Sequence, residues 1–363
     1  MLPTTAMATQ INQFATRLAT RLDNRSVGLQ FAVIDRYGTM ATHGSGYARL
    51  PHTSPARLMS SVERMPTASV SKTITAAALV RALYDNPYVT LDSPFAPYLP
   101  NHWTVDQSLK DVTFKQLLQH RSGIQQTWHV TYDALKEVAL GGVKSYDIGF
   151  KLYTNTNYAF MRLLIPRITA NNIPQIPVGT SGFMLQLLEQ TQASQFATGY
   201  MNYTQEKVWD KTGVASNMQC KPLPFYPGLA YAQPATSTDG EDYGDLTLKN
   251  ASQGWVATSQ QLAVFMKTLH ETSNIMPAWL SQKMADERLG YDDGGTTAQG
   301  LTWFYKSGDY PGPPYDDAYQ GELHSRLFGF SNGIYLAVII NSHFIHPKDL
   351  TYVILDAFNE VLW

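Results

Sequence analysis

Ser69 and Lys72 stand three residues apart at the start of Thr67-Ala68-Ser69-Val70-Ser71-Lys72-Thr73-Ile74-Thr75-Ala76-Ala77-Ala78-Leu79-Val80. This run passes from polar, cap-competent residues into small apolar ones, which predicts a buried helix whose first turn carries both side chains. Residues i and i+3 share a helix face, so the serine hydroxyl and the lysine amine can meet. A serine placed there also lies at the positive end of the helix dipole, among N–H groups that lack intrahelical acceptors. Ser-x-x-Lys in this setting is a nucleophile signature. Taken alone, the same spacing also fits an ordinary solvated helix start.

The rest of the chain must supply the scaffold. Its 363 residues, 44% hydrophobic, suit one large domain or two intimately joined ones. With a net charge of −2 and only 15% charged residues, there is no reason to expect nucleic acid or an anionic membrane as partner. Cys220 is the single cysteine, which excludes an intramolecular disulfide and a cysteine-based metal site. Residues 1–22 show no signal-peptide pattern, and the longest strongly apolar run, 334–340, is too short to span a bilayer. A soluble protein is expected. Sparse charge with abundant Thr, Asn, Gln and Tyr fits export, with any leader missing from this sequence.

Apolar spacing predicts helices over 10–22, 114–120, roughly 181–210, from Thr258 onward and over 349–363. Strand patterns cover 27–34, 39–46, 300–306, 321–328 and 333–341. Strands at both ends around a helical middle predict an α/β (α+β) fold with one antiparallel sheet. The sheet domain would comprise 1–78 and 236–363, the helical insertion 79–235, with the active site between them.

Four further segments carry a resemblance. They are Leu91-Asp92 through Tyr98-Leu99-Pro100, Leu117-Leu118-Gln119-His120-Arg121-Ser122-Gly123-Ile124, Tyr153-Thr154-Asn155-Thr156-Asn157-Tyr158 and Gly254-Trp255-Val256-Ala257-Thr258. Together with Ser-x-x-Lys, and in this order, they resemble the serine β-lactamase and penicillin-binding-protein superfamily, in its class C β-lactamase, D,D-peptidase and esterase branch. The resemblance implies a β-lactamase/transpeptidase-like fold and an acyl-enzyme on Ser69, with no metal or other cofactor. Lys72 and Tyr153 would share the general-base role, either one carrying the proton. Asn155 would bond a substrate amide or the Lys72 side chain.

The superfamily also places Lys-Thr-Gly or His-x-Gly on a strand at the site edge. A literal Lys211-Thr212-Gly213 lacks the strand and terminal helix that should follow it. His324-Ser325-Arg326-Leu327 has both, so His324, Ser325 and Arg326 are expected to bind substrate. The Leu327 N–H, with that of Ser69, would form the oxyanion hole. A histidine there disfavours a β-lactam carboxylate, and Arg326 in place of the usual glycine would narrow the pocket. The expected activity is therefore that of an esterase or amidase/peptidase on a small molecule. Alternatives are a D,D-peptidase or β-lactamase, favoured if Lys211 lies in the site, and an acyltransferase. A catalytically silent binder of peptide or cell-wall fragments is the alternative that Arg326 keeps open.

Other motifs read differently. Gly329-Phe330-Ser331-Asn332-Gly333 matches a nucleophile elbow, but an apolar strand follows it, so a hairpin turn is expected. His343 and His346 lack an acidic companion for a metal and are expected to flank a loop. Asp239, Glu241, Asp242 and Asp245 read as a solvated loop. The segment 310–315, rich in Tyr and Pro, reads as a surface loop at the pocket lip.

Overall fold

A computed structural model describes residues 4–126, 128–169, 173–232, 239–310 and 321–363. Most of the 310–315 segment lies outside the described residues. The chain opens with α1 (Thr4–Leu22), then β1 (Gly28–Asp35), β2 (Met40–Arg49) and the short β3 (Arg57–Leu58) and β4 (Met65–Pro66). Next come α2 (Ser71–Asp85), α3 (Phe114–Leu118), α4 (Tyr132–Gly141), α5 (Asn155–Ala159), α6 (Met161–Ile168) and α7 (Gly182–Thr204). The last part holds β5 (Val256–Ala257), α8 (Ser259–Glu271), α9 (Ala278–Asp286), β6 (Asp293–Thr296), β7 (Thr302–Tyr310), β8 (Leu323–Phe330), β9 (Ile334–Ile340) and α10 (Leu350–Asn359).

Seven strands form one antiparallel sheet in the order β3-β2-β1-β9-β8-β7-β6, which gives the expected α/β class. Both ends of the chain build it. Strands β1 and β9 are buried along their whole length, because helices cover both faces and a two-sided strand needs apolar residues at every position. On one face lie α1 and α10: Ile11, Phe14, Leu18 and Leu22 of α1 recur at helical spacing and are fully buried with Phe358 of α10. Each such side chain contributes about 1.5–3 kcal/mol. On the other face α8 packs on β1 and β9, and α2 continues that core into the helical region.

Helices α4, α5, α6 and α9 were not marked by the sequence patterns, and the strand expected over 300–306 runs on to Tyr310. That extension matters for the site. Among the described residues, no helix is long and apolar enough to cross a membrane.

Candidate active site

Ser69 lies in a 3-10 turn, Ala68–Val70, that leads directly into α2. Its N–H belongs to a first turn, where no intrahelical acceptor exists. The turn is held from behind: Thr67 N donates to Trp255 O at 2.9 Å, and Ser325 Oγ donates to Thr67 O at 2.8 Å. Ala68 has φ +44°, a left-handed conformation that costs an alanine about 1–2 kcal/mol. Such strain persists where the surroundings over-determine it, as they do here.

Lys72 is fully buried and makes three hydrogen bonds: to Ser69 Oγ at 2.8 Å, Asn155 Oδ1 at 2.7 Å and Ser252 O at 2.7 Å. Two of these partners, an amide oxygen and a backbone carbonyl, can only accept. A neutral amine satisfies both with its two N–H bonds and leaves its lone pair directed at the Ser69 hydroxyl. Burial, reinforced by the nearby Lys306 cation, holds the Lys72 amine well below the usual lysine range. Among the described residues its hydrogen-bond partners include no carboxylate, and Asp292 opposes the shift only from a distance.

Tyr153 completes the cluster, its hydroxyl donating to Ser69 Oγ at 2.7 Å while 40% of the residue stays exposed at the mouth. Burial of that hydroxyl raises its pKa although Lys306 opposes the shift, so the phenol stays protonated at neutral pH. The His120–Gly123 segment fixes its position. The His120 ring lies under the Tyr153 ring at 4.5 Å between centroids, and Leu152 N donates to His120 O at 2.8 Å. Ser122 Oγ donates to Asn157 Oδ1 at 2.6 Å, and Thr154 caps α5, which begins with Asn155.

The strand beside this cluster is β7. Its register pairs Lys306 with Leu327, Gly308 with Ser325 and Asp309 with His324, so Lys306 and Gly308 face the Ser69 side. Lys306 Nζ lies 5.0 Å from the Tyr153 ring centroid and 2.6 Å from Asp292 Oδ1. At Gly308 an added Cβ would stand 2.6 Å from Thr67 O and 2.8 Å from Val70 N, so only glycine lets β7 approach the Ser69 turn this closely. Strand β6 pairs with β7 only as far as Tyr305. Beyond it, Ser307 N points out of that edge to Asp292 Oδ2 at 2.8 Å. Backbone directions alternate along a strand, so the Asp309 N–H points out of the same edge as that of Ser307, beside the Ser69 turn.

The structure does not bring the other expected strand residues to the site. His324 and Arg326 project from the opposite face of the sheet, because they share the parity of Asp309 and not of Gly308. His324 Nδ1 contacts Asp309 Oδ1 at 2.7 Å, and Arg326 donates to Asp309 Oδ1 at 2.8 Å and to Thr351 Oγ1 of α10 at 3.2 Å. Ser325 has the right parity but is buried, where its hydroxyl supports Thr67 and not a ligand. Leu327 is also fully buried, and β8 lies between β7 and β9, whose ladders take up its backbone groups. Arg326 therefore does not narrow the pocket. Lys211 is exposed on a 3-10 turn, Asp210–Thr212, and Gly329–Gly333 forms the β8–β9 hairpin. His343 contacts Glu322 at 3.0 Å, and His346 accepts from Lys348 N at 3.0 Å in the loop before α10. The acidic residues 239–245 hold turns and a bridge: Asp245 accepts from Thr247 N and Glu241 from Gly321 N. No three-residue group suited to a metal ion occurs among the described residues.

The family model described as Beta-lactamase matches residues 11–343. The chain belongs to that family. No curated protein matches the sequence. Solved structures similar to it include FmtA from Staphylococcus aureus, 13% identical with TM-score 0.69, covering 98% of this chain and 90% of that one. The D-amino acid amidase of Ochrobactrum anthropi SV3 is 17% identical with TM-score 0.69, covering 97% and 99%. A D-stereospecific amidohydrolase from Streptomyces sp. is 17% identical with TM-score 0.66, again covering 97% and 99%. These likenesses establish the serine β-lactamase and penicillin-binding-protein fold.

The third element, Lys-Thr-Gly or His-x-Gly on a strand at the site edge, was expected at His324-Ser325-Arg326-Leu327; Lys306-Ser307-Gly308 on β7 is the near-match that lies beside Ser69. The signal was present: a strand pattern ended at Lys306 itself, with two further strands and a helix after it. Ser-Gly-Asp reads locally as turn chemistry, which cut the strand short. Asp292 had no sequence signal, since its partnership with Lys306 crosses from one strand to the next.

Proposed function

We propose that this chain is a serine hydrolase that cleaves a small ester or amide through an acyl-Ser69 intermediate. The observation that carries the reading is the Lys72 amine, held by two acceptor-only partners with its remaining position on Ser69 Oγ. Ser69 Oγ attacks the substrate carbonyl while its proton passes to Lys72 Nζ. Such a base contributes about 10²–10⁴ in rate. The N–H groups of Ser69 and Asp309 receive the oxyanion, each donor accounting for about 2.7–4 kcal/mol. The Tyr153 hydroxyl gives its proton to the departing amine or alkoxide and regains one from Lys72. Water then attacks the acyl-enzyme by the reverse proton path. Asn155 acts through Lys72, as a positioning residue.

Amides are the first substrate class to try, because two structural relatives are named for amide hydrolysis. A second reading, D,D-peptidase or β-lactamase activity, is favoured by one observation: a lysine, Lys306, stands on the site strand. Intact-protein mass after incubation with a fluorophosphonate tests the main reading. Wild type should gain one phosphonyl adduct, and Ser69→Ala should gain none. An unlabelled wild type would remove the hydrolase assignment.

A further inference from the structure

Among the described residues, Lys306 and Lys72 are the buried cations beside Tyr153, and Lys306 has a carboxylate of its own. Asp292 Oδ1 receives Lys306 Nζ at 2.6 Å, while Oδ2 receives Ser307 N at 2.8 Å and Ser307 Oγ at 2.6 Å. Both carboxylate oxygens are thus engaged, and the group is anchored to the strand that carries Lys306. The Lys306 side chain is 2% exposed and that of Asp292 19%, so the anion is the more exposed member of the pair. Burial works against the charge on each, yet the Lys306 ammonium and the Ser307 hydrogen bonds keep Asp292 ionised, at about 2, while Tyr153 and Asp292 beside it raise Lys306 above the usual lysine range. The other cation at this edge, the exposed Lys151, donates to the Asp292 backbone carbonyl at 2.5 Å.

Resting on the acyl-Ser69 reading, we infer that Asp292 is a specificity-determining residue: it occupies the Lys306 cation from within and turns the site toward acyl substrates that carry no carboxylate near the scissile bond. A substrate carboxylate brought to Lys306 meets the Asp292 carboxylate at the same ammonium, and like charges at that separation repel strongly where water is scarce. A neutral acceptor, such as an amide or hydroxyl oxygen, still receives the remaining Lys306 N–H bonds without that repulsion. The pair therefore offers hydrogen bonding without net charge.

The test compares two acylating probes on Ser69 by intact mass: a neutral fluorophosphonate and benzylpenicillin, which carries a carboxylate. The ratio of penicillin to phosphonate labelling rates should rise at least tenfold in Asp292→Asn, and fall back in the double variant Asp292→Asn with Lys306→Met. An unchanged ratio in Asp292→Asn, or a gain that survives in the double variant and so belongs to Lys151, overturns the proposal. A wild-type measurement covers the case in which Asp292→Asn does not fold. Acylation by a thioester with a thioglycolamide leaving group should be at least tenfold faster than with the isosteric thioglycolate, and equal or reversed rates overturn the inference. If wild-type Ser69 takes no phosphonate at all, the hydrolase reading fails and this one with it.

Discussion

One face of the β7–β8 pair presents Lys306, Gly308, Ser325 and Leu327; the other presents Asp309, His324 and Arg326. The first face packs against the turn that carries Ser69, with Ser325 Oγ bonded to Thr67 O. On the second, His324 and Arg326 close on Asp309 under α10, and although burial opposes its charge, the Arg326 guanidinium and the His324 ring hold that carboxyl well below its usual range. Cations and hydrogen-bonding groups occur on both faces. What separates them is the neighbour: on one side an apolar core that ends at an open nucleophile, on the other a closed ion-pair cluster between sheet and helix.

Variants on the two faces should therefore separate activity from stability. The largest effect is expected at Lys72→Met, which removes the base and should lower the phosphonylation rate by about 10²–10⁴. A loss below tenfold would move the proton transfer elsewhere. Next is Gly308→Ala, whose Cβ would stand 2.4 Å from Ser325 Oγ and 2.6 Å from Thr67 O. It should both displace the Ser69 turn, slowing acylation, and destabilise the fold by about 1–3 kcal/mol. Normal acylation in this variant would show that β7 is not held against the turn.

Arg326→Met strips a partner from Asp309 and should cost about 2–3 kcal/mol in denaturant unfolding. That is less than a fully dry pair loses, because the Asp309 side chain stays 35% exposed. An unchanged unfolding midpoint would mean the cluster contributes nothing. Lys306→Met sharpens the site face through pH. Lys72 acts when neutral, so the acylation rate rises as pH climbs through its pKa. Removing the Lys306 cation removes a contribution that lowers this pKa, so the acid limb of the rate–pH profile should move to higher pH. A limb that stays put or moves down would detach Lys306 from Lys72.

The same comparison shows what could be read from the chain alone. Ser69 and Lys72 could be read together from their three-residue spacing at a helix start, and Tyr153 from the order of motifs along the chain; the structure places the three side chains in contact. The sheet from both termini was legible too, through the apolar runs of β1 and β9. The third strand was not. His324 and Lys306 both precede a strand and the terminal helix; they are told apart by strand position, β7 lying against the Ser69 turn and β8 inside the sheet, and by parity. A strand alternates with period two, so register decides every side chain's face at once, and register is set by pairings such as Gly308 with Ser325 that no local pattern records. The reason for glycine at 308 is the close approach of the Ser69 turn, equally absent from any local pattern.

The smallest expected effect supplies the control. His324→Gln changes a side chain on the far face and should leave acylation within about threefold of wild type, in the range of substitutions away from the reacting groups. The most direct test of the account sets three phosphonylation rates side by side: wild type, Lys72→Met and His324→Gln. The account predicts collapse in the Lys72 variant and near-wild-type labelling of Ser69 in the His324 variant. Collapse in the His324 variant with labelling retained in the Lys72 variant would contradict it.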